Sequence, residues 1–293
     1  MYRTAVINDE ISQDYRTACA LAAKYGLDGM EIRSVNEKNP FDMNRSDWES
    51  IKRISDDFGL KIAAVSSPLF KCDLNNEQEI EAHYEGLKRC AEAAHLWGTN
   101  LIRGFTFWRT PNPEQDFARI AERYEKAIQI AEQEDIEIVI ESEPSVCTVN
   151  MQMLYDFLQL VPSKRIGALY DAGNEATDPS WPAPYPYGYE LLKPYIRHVH
   201  LKDTKATHDG AFYEPALIGE GDVDYEGLIR RLKADRYDGW VSVETHYRIR
   251  RKAFSEAELA RPQGTAFSEG GYEATEAYFQ ILRDRFDWQG ETK

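Results

Sequence analysis

The sequence predicts an α/β fold, a single (β/α)8 TIM barrel, and three observations carry that expectation. Eight short β-rich runs recur roughly 30 to 40 residues apart, and stretches with apolar residues three and four apart lie between them. Parallel strands need a crossover connection, usually a helix, so the alternation points to a parallel sheet. No GxGxxG follows the first run, which removes the usual signature of the competing doubly wound sheet. The 293 residues suit one barrel domain, 1–293, and no low-complexity tract or linker divides them.

In order, the candidate strands are Ala5–Asn8, Gly29–Arg33, Lys61–Ser66, Asn100–Phe105, Ile136–Glu141, Ile166–Asp171, Ile196–Leu201 and Gly239–Glu244. Candidate helices lie over Asp14–Tyr25, Ser46–Phe58, Glu77–Trp97, Pro113–Glu134 and Asn150–Leu160. Ser46 followed by Glu49 has the spacing of a capping box, and Gly26, Gly59 and Gly98 stand where helices should end. Long loops are expected after strands six, seven and eight, among them the proline-rich Pro179–Pro186 and the tail from Arg248 to Gly271. An amphipathic helix around Tyr272–Phe286 closes the chain.

Composition narrows the function. The net charge of −15 repels phosphate backbones and anionic lipid, so neither nucleic acid nor a membrane is expected as a partner. No apolar run approaches the ~18 residues of a membrane span. The opening MYRTAVINDE has no apolar stretch of the kind a signal peptide needs. Cys19, Cys72, Cys90 and Cys147 form no CxxC pair, which suits reduced thiols and a cytoplasmic location.

Strand parity separates the inward side chains from the outward ones. In IEIVIE, Ile136, Ile138 and Ile140 face the helices, leaving Glu137, Val139 and Glu141 to point inward. In HVHLKD, Val199 and Leu201 face outward, so His198, His200 and Lys202 point in. In YDGWVSVETH, Trp240, Ser242, Glu244 and His246 form the inward set, and Asp171 closes the sixth strand on the inward parity. Earlier strands offer Asn8 or Glu10, then Glu31, Arg33, Ser66 and Arg103. Each candidate strand therefore ends in a polar or ionisable group, at the end where barrels carry their active sites.

Burying that many charges is costly unless they are paired or hold a cation. Glu141, Asp171, His200 and Glu244 close four consecutive strands, and three carboxylates with one imidazole make an oxygen-rich donor set. Such a set suits one divalent ion, Mn2+ first, with Co2+, Mg2+ and Zn2+ as alternatives. Without an ion the three carboxylates would push at least one pKa up. Singly, each residue has a plainer reading: a strand-end carboxylate is commonly a loop cap, and a lone barrel histidine a satisfied core residue. Joint occurrence carries the expectation.

IVIESEPS (138–145), YDAGN (170–174), HVHLKD (198–203), IGEGDVDY (218–225) and YDGWVSVETH (237–246), with NDEIS (8–12) and GLDGMEIR (26–33), together resemble the sugar phosphate isomerase/epimerase superfamily. This is the xylose isomerase-like TIM-barrel group, which includes ketose 3-epimerases, hydroxypyruvate isomerase and inosose dehydratase. The resemblance implies that Glu141, Asp171, His200 and Glu244 bind one divalent ion, with Glu141 and Glu244 also forming an acid/base pair. It implies an isomerase or epimerase acting on a small ketose, keto-acid or related polyol through a metal-stabilised enediolate. Loss of a β-hydroxyl from the same enediolate would instead give a dehydratase of the inosose dehydratase type. Ser142 stands where Asn is commoner, and GEG lacks the basic residue that ketose 3-epimerases usually carry there.

Around the quartet, Lys202 reads as a substrate-binding group or as a salt-bridge partner of Glu244 or Glu220. Glu143, Arg103, Trp108 and His246 are further substrate-contact candidates, and Phe107, Trp108 and Arg109 offer an apolar wall for a sugar ring. Asp203, of outward parity, suits a loop cap, and His198 a core or supporting histidine. The sequence has no GxxxxGK[ST], so an unphosphorylated substrate is preferred. Two other classes compete. An abasic-site endonuclease of the same barrel type needs many zinc-binding histidines, whereas only six are present and Asn174 stands where one is needed. A non-enzymatic sugar-binding module would show the same strand ends, with its carboxylates paired to Arg33, Arg103 and Lys202. A small sugar-like molecule is the expected partner, and a homo-oligomer is left open.

Overall fold

The computed structural model describes residues 1–177, 181–206, 213–249 and 255–289. In chain order it contains β1 (Arg3–Ile7), α1 (Tyr15–Lys24), β2 (Gly29–Ile32), α2 (Arg45–Asp57), β3 (Lys61–Leu69), α3 (Glu77–Trp97), β4 (Leu101–Gly104), α4 (Pro113–Gln133), β5 (Glu137–Glu141) and α5 (Met151–Leu160). β6 (Ile166–Asp171), α6 (Ala172–Glu175), α7 (Tyr189–Leu192), β7 (Ile196–Leu201), β8 (Asp203–Ala206), β9 (Tyr213–Ala216), α8 (Tyr225–Ala234), β10 (Trp240–Val243), α9 (Glu256–Ala260), α10 (Gly264–Ser268) and α11 (Gly271–Asp284) follow. β1 to β7 and β10 close a barrel in which every neighbouring pair is parallel. β8 and β9 form a separate antiparallel pair.

The eight-stranded barrel expected from the alternation is thus present, and strand parity sorts the core as expected. Ala5, Ala63, Val139, Leu169 and Trp240 fill the barrel interior, whereas Ile138, Ile140, Val199, Val241 and Val243 join the larger cluster under the helices. A Cβ on Gly29 would stand 2.9 Å from the Trp240 ring, so glycine there makes room for the largest interior side chain.

Several local expectations are corrected. The N-cap of α2 is Asn44, not Ser46, and the reciprocal partner is Asp47, not Glu49. Asn and Ser are about equally good caps, a cap being worth ~1 kcal/mol, so the earlier start of the helix is set by the Asn44–Asp47 pair itself. β3 runs on to Leu69, through Pro68, and pairs with Gly104. The sequence reading missed α8, whose Asp224 cap accepts the Gly227 N–H at 2.8 Å and whose Leu228, Ile229 and Leu232 face the core. Two short helices, α9 and α10, stand within the tail read as a loop, and β8–β9 follow the seventh barrel strand. Pro179, His208 and residues 250–254 of the expected loops lie outside the described residues. Among those described, all four cysteines are free and buried, and no helix is long and apolar enough to cross a membrane.

Glu175 ends α6 with its side chain buried and accepting the Met151 N–H at 2.8 Å. Burial pushes its carboxyl up to about 8, against an ordinary 4.5. The folded protein therefore keeps a proton that the unfolded chain loses over pH 4.5 to 8, and stability falls as pH rises through that window. Glu175→Gln keeps an acceptor for Met151 and removes the titration. It is expected to raise the melting temperature at pH 8 and to flatten the fall between pH 5 and 8, measured by thermal melts across that range.

Candidate metal centre

The carboxyl-terminal ends of β5, β6, β7 and β10 bring Glu141, Asp171, His200 and Glu244 together. One donor atom from each lies within 4.8 Å of the others, and all four residues are buried. Adjacent strands do the positioning: Asp171 pairs in register with His200, and His200 with Ser242, two residues before Glu244.

Each donor is held by a specific neighbour. Asp171 Oδ1 caps α6 by accepting the N–H groups of Gly173 at 2.8 Å and Asn174 at 3.3 Å, while Oδ2 turns to the cluster. A Cβ on Gly173 would stand 2.0 Å from the Lys202 carbonyl oxygen, so only glycine lets this turn approach the end of β7. Asn174 Nδ2 donates to Glu141 Oε1 at 2.9 Å, and Arg103 Nη1 to Oε2 at 3.2 Å. Arg33 Nη1 donates to Glu244 Oε1 at 2.6 Å, and Lys202 Nζ to Oε2 at 2.7 Å.

His200 is set from behind. Its Nε2 lies 3.1 and 3.2 Å from the two Glu31 oxygens, and His198 Nε2 lies 2.7 Å from the same carboxylate. Burial raises the cost of the Glu31 charge, but the two imidazoles outweigh it and hold the carboxyl well below its usual range. His200 Nδ1 then faces Glu244, Glu141 and Asp171 oxygens at 3.6, 3.8 and 3.9 Å, beyond hydrogen-bond reach, and has no hydrogen-bond partner. A histidine ligand whose other nitrogen is fixed by a carboxylate is the usual arrangement at protein metal sites.

The charges fit a divalent cation. Burial, and then Glu244 and Glu141, push Asp171 up, with Lys202 opposing. Buried carboxylates at the mouth, Asp9, Glu10, Glu31, Glu141, Glu143, Asp171 and Glu244 among them, meet Arg33, Lys71, Arg103, Lys202 and Arg248. With these side chains alone, Lys202 stands between Asp171, at 2.9 Å, and Glu244. His200 takes up a proton as well: burial opposes it, but Glu31 and Glu244 outweigh burial and hold the imidazole up to about 10. An incoming ion would displace that proton and compete with the ammonium.

The remaining candidates are placed as follows. Lys202 pairs with Asp171 and Glu244; Glu220 is exposed and is not its partner. Arg103 lies on Glu141. Glu143 is at the rim, paired with Lys71 at 2.9 Å. His246 Nε2 stands 3.3 Å from both Glu10 Oε1 and Glu244 Oε1, and the Glu10 carboxylate accepts the His246 main-chain N–H at 2.9 Å. Trp108 is half-buried beneath the Arg261 guanidinium. The apolar wall is corrected: Phe107 is fully buried and stacked on Phe70 at 4.7 Å, Arg109 is exposed, and Trp108 packs under Arg261. Asp203 accepts the N–H groups of Gly219 at 2.8 Å and Gly221 at 3.0 Å, a loop cap as its parity suggested. A separate cavity of about 650 Å³, lined by Arg3, Lys61, Trp97 and Trp240, opens at the other end of the strands.

The model of the xylose isomerase-like TIM barrel family matches residues 19–267. The chain belongs to that family. An inosose dehydratase of Clostridium beijerinckii is 23% identical over 255 residues, 76% of this chain and 80% of that protein. Against the first curated relatives, the matches span only 39% and 47% of their length. Among solved structures, a probable 3-DHS dehydratase, AsbF, of Bacillus anthracis superposes with a TM-score of 0.75 at 17% identity, covering 97% of this chain and 99% of that one. The IOLI protein, solved with a bound zinc atom, gives 0.71 at 16% identity, covering 99% and 100%.

Sequence reasoning placed Glu31 and Arg33 inward but gave Glu31 no role, and it noted Asn174 only as a missing histidine. The Glu31–His198–His200 contact spans 167 residues, and parity alone shows only that all three face the interior. Lys71 went unread because Phe70, at φ 63°, breaks the alternation just before it.

Proposed function

We propose that the protein is an isomerase or epimerase of a small ketose, keto-acid or polyol, dependent on one divalent ion held by Glu141, Asp171, His200 and Glu244. The observation that carries the proposal is the convergence of three buried carboxylates on an imidazole nitrogen that has no partner of its own. Bound there, the ion would supply Lewis-acid stabilisation of charge on the substrate's carbonyl and adjacent oxygen. Mn2+ suits the oxygen-rich set, and a bound zinc atom in a structural neighbour supports a site for a divalent ion in this fold.

The chain's own residues do the rest. Glu244 takes the proton from the carbon next to the carbonyl, and Glu141, on a strand further around the mouth, returns one from another side. Arg33 and Lys202 keep Glu244 ionised: burial opposes its charge, but Lys202 and His246 hold the carboxyl well below its usual range. Return to the same carbon inverts it, and return to the neighbouring carbon exchanges aldose and ketose. Dehydration is a second reading, favoured by the inosose dehydratase relative and by a site whose first step would be the same.

The two part in one experiment. Ketoses, keto-acids and inososes are incubated with Mn2+-supplemented protein in D2O. The isomerase or epimerase reading predicts solvent deuterium at carbon with mass otherwise conserved, and dehydration predicts loss of one water. No exchange and no new product with any compound would contradict both.

A further inference from the structure

A cleft of about 340 Å³ opens beside the quartet on the β2–β4 side, lined by Arg33, Lys71, Arg103 and Arg261 with Ser66 and His83. Glu79 is its one acidic lining residue. Four cations around one small cleft run against the −15 of the whole chain.

Their bonding differs in a way that matters. Arg33 is spent, with one carboxylate on each of its three nitrogens: Asp9, Glu244 and Glu10. Arg103 is not. It donates to Glu141 at 3.2 Å and to the carbonyl oxygens of Ser67 and Ser66 at 3.4 Å, and lies over the Phe105 ring at 5.0 Å. Its Nε and Nη2 therefore face no carboxylate, a bonding short of what a buried guanidinium can make. Lys71, nearly fully buried, pairs with Glu143 and donates to the Ala260 carbonyl at 2.7 Å. Burial, with Arg103 adding to it, lowers the Lys71 pKa, and Glu143 and Glu141 oppose the shift. Arg261, stacked on Trp108 at 4.9 Å, has no carboxylate within ion-pair distance among the described residues.

We propose that this cleft binds an anionic group of the substrate, a carboxylate or a phosphoryl group, through Arg103, Lys71 and Arg261. The substrate is then an acidic polyol or keto compound, not a neutral sugar. Arg103 lies on both the cleft and Glu141, so an anion held there places the adjoining carbons beside the quartet. The inference rests on the function proposed above, but its test needs no turnover.

Protein stripped with EDTA and dialysed into buffer free of metal and phosphate is titrated calorimetrically with malonate, inorganic phosphate and 1,3-propanediol. Malonate or phosphate is expected to bind and propanediol not to. Arg261→Gln and Lys71→Gln are each expected to weaken binding about tenfold or more, the loss of one charge-assisted contact. Tighter malonate assigns a carboxylate, and tighter phosphate a phosphoryl group. Arg261 is exposed, so its variant reports binding even where Lys71→Gln fails to fold. No binding of either anion, or binding unchanged in Arg261→Gln, would overturn the proposal. Because no ion is present, failure of the metal chemistry would leave this result readable.

Discussion

Glu244→Gln is expected to lower kcat/KM by roughly 10²–10⁴-fold, the usual contribution of a positioned acid or base, while the protein stays folded. Glutamine keeps the size and one acceptor oxygen, but it can neither take a proton nor offer an anionic oxygen to an ion. The neighbours survive the change. Arg33 keeps Asp9 at 2.9 Å and its bond to Glu10, and Lys202 keeps Asp171 at 2.9 Å, so no buried cation is left alone. The comparison is steady-state kinetics on the substrate that the deuterium screen identifies, with circular dichroism of both proteins. A variant with wild-type kcat/KM would remove Glu244 from the chemistry.

The second large effect is a graded loss of metal affinity. Glu31→Gln leaves all four donors in place but loses the charge that holds His198 and His200, and supporting residues of this kind typically cost 10–100-fold in affinity. His200→Ala removes the unpartnered nitrogen itself and is expected to cost more. Competition against a fluorescent chelator, titrated with Mn2+ at fixed pH, measures both. Equal affinities for wild type and His200→Ala would show that any ion bound is held elsewhere, for instance by Glu10, Glu244 and His246, which also lie close together.

The barrel was legible in the sequence because buried parallel strands and helices leave different periods, and because closure gives each strand an inside and an outside. The same parity put Glu141, Asp171, His200, Lys202 and Glu244 on the inner face, and the structure clusters the first three with Glu244 and sets Lys202 on Asp171 and Glu244. What parity does not carry is who faces whom across the barrel. Glu31 and His200, and Arg33 and Glu244, meet only once the sheet closes, so neither pair could be read from the chain. Asn174 was unreadable for another reason. Its position follows from the Asp171 cap of a four-residue helix, a local turn too short to leave a period. Helix α8 was missed because its signal, a cap and three apolar residues, stands against the glycine- and acid-rich GEGD that precedes it.

Charge pairing at the mouth bears on two accounts at once. A binding module would place Arg33, Arg103 and Lys202 on the carboxylates, as is found, and so would an enzyme. The accounts separate at His200 Nδ1, which is left without a hydrogen-bond partner among three carboxylates.

The most direct measurement is anomalous diffraction from a crystal soaked in Mn2+. The account predicts one peak per chain at the centre of the Glu141, Asp171, His200 and Glu244 donors, with the Lys202 ammonium moved away from it. A map with no peak there, and Lys202 still bridging Asp171 and Glu244 at high Mn2+, would contradict it.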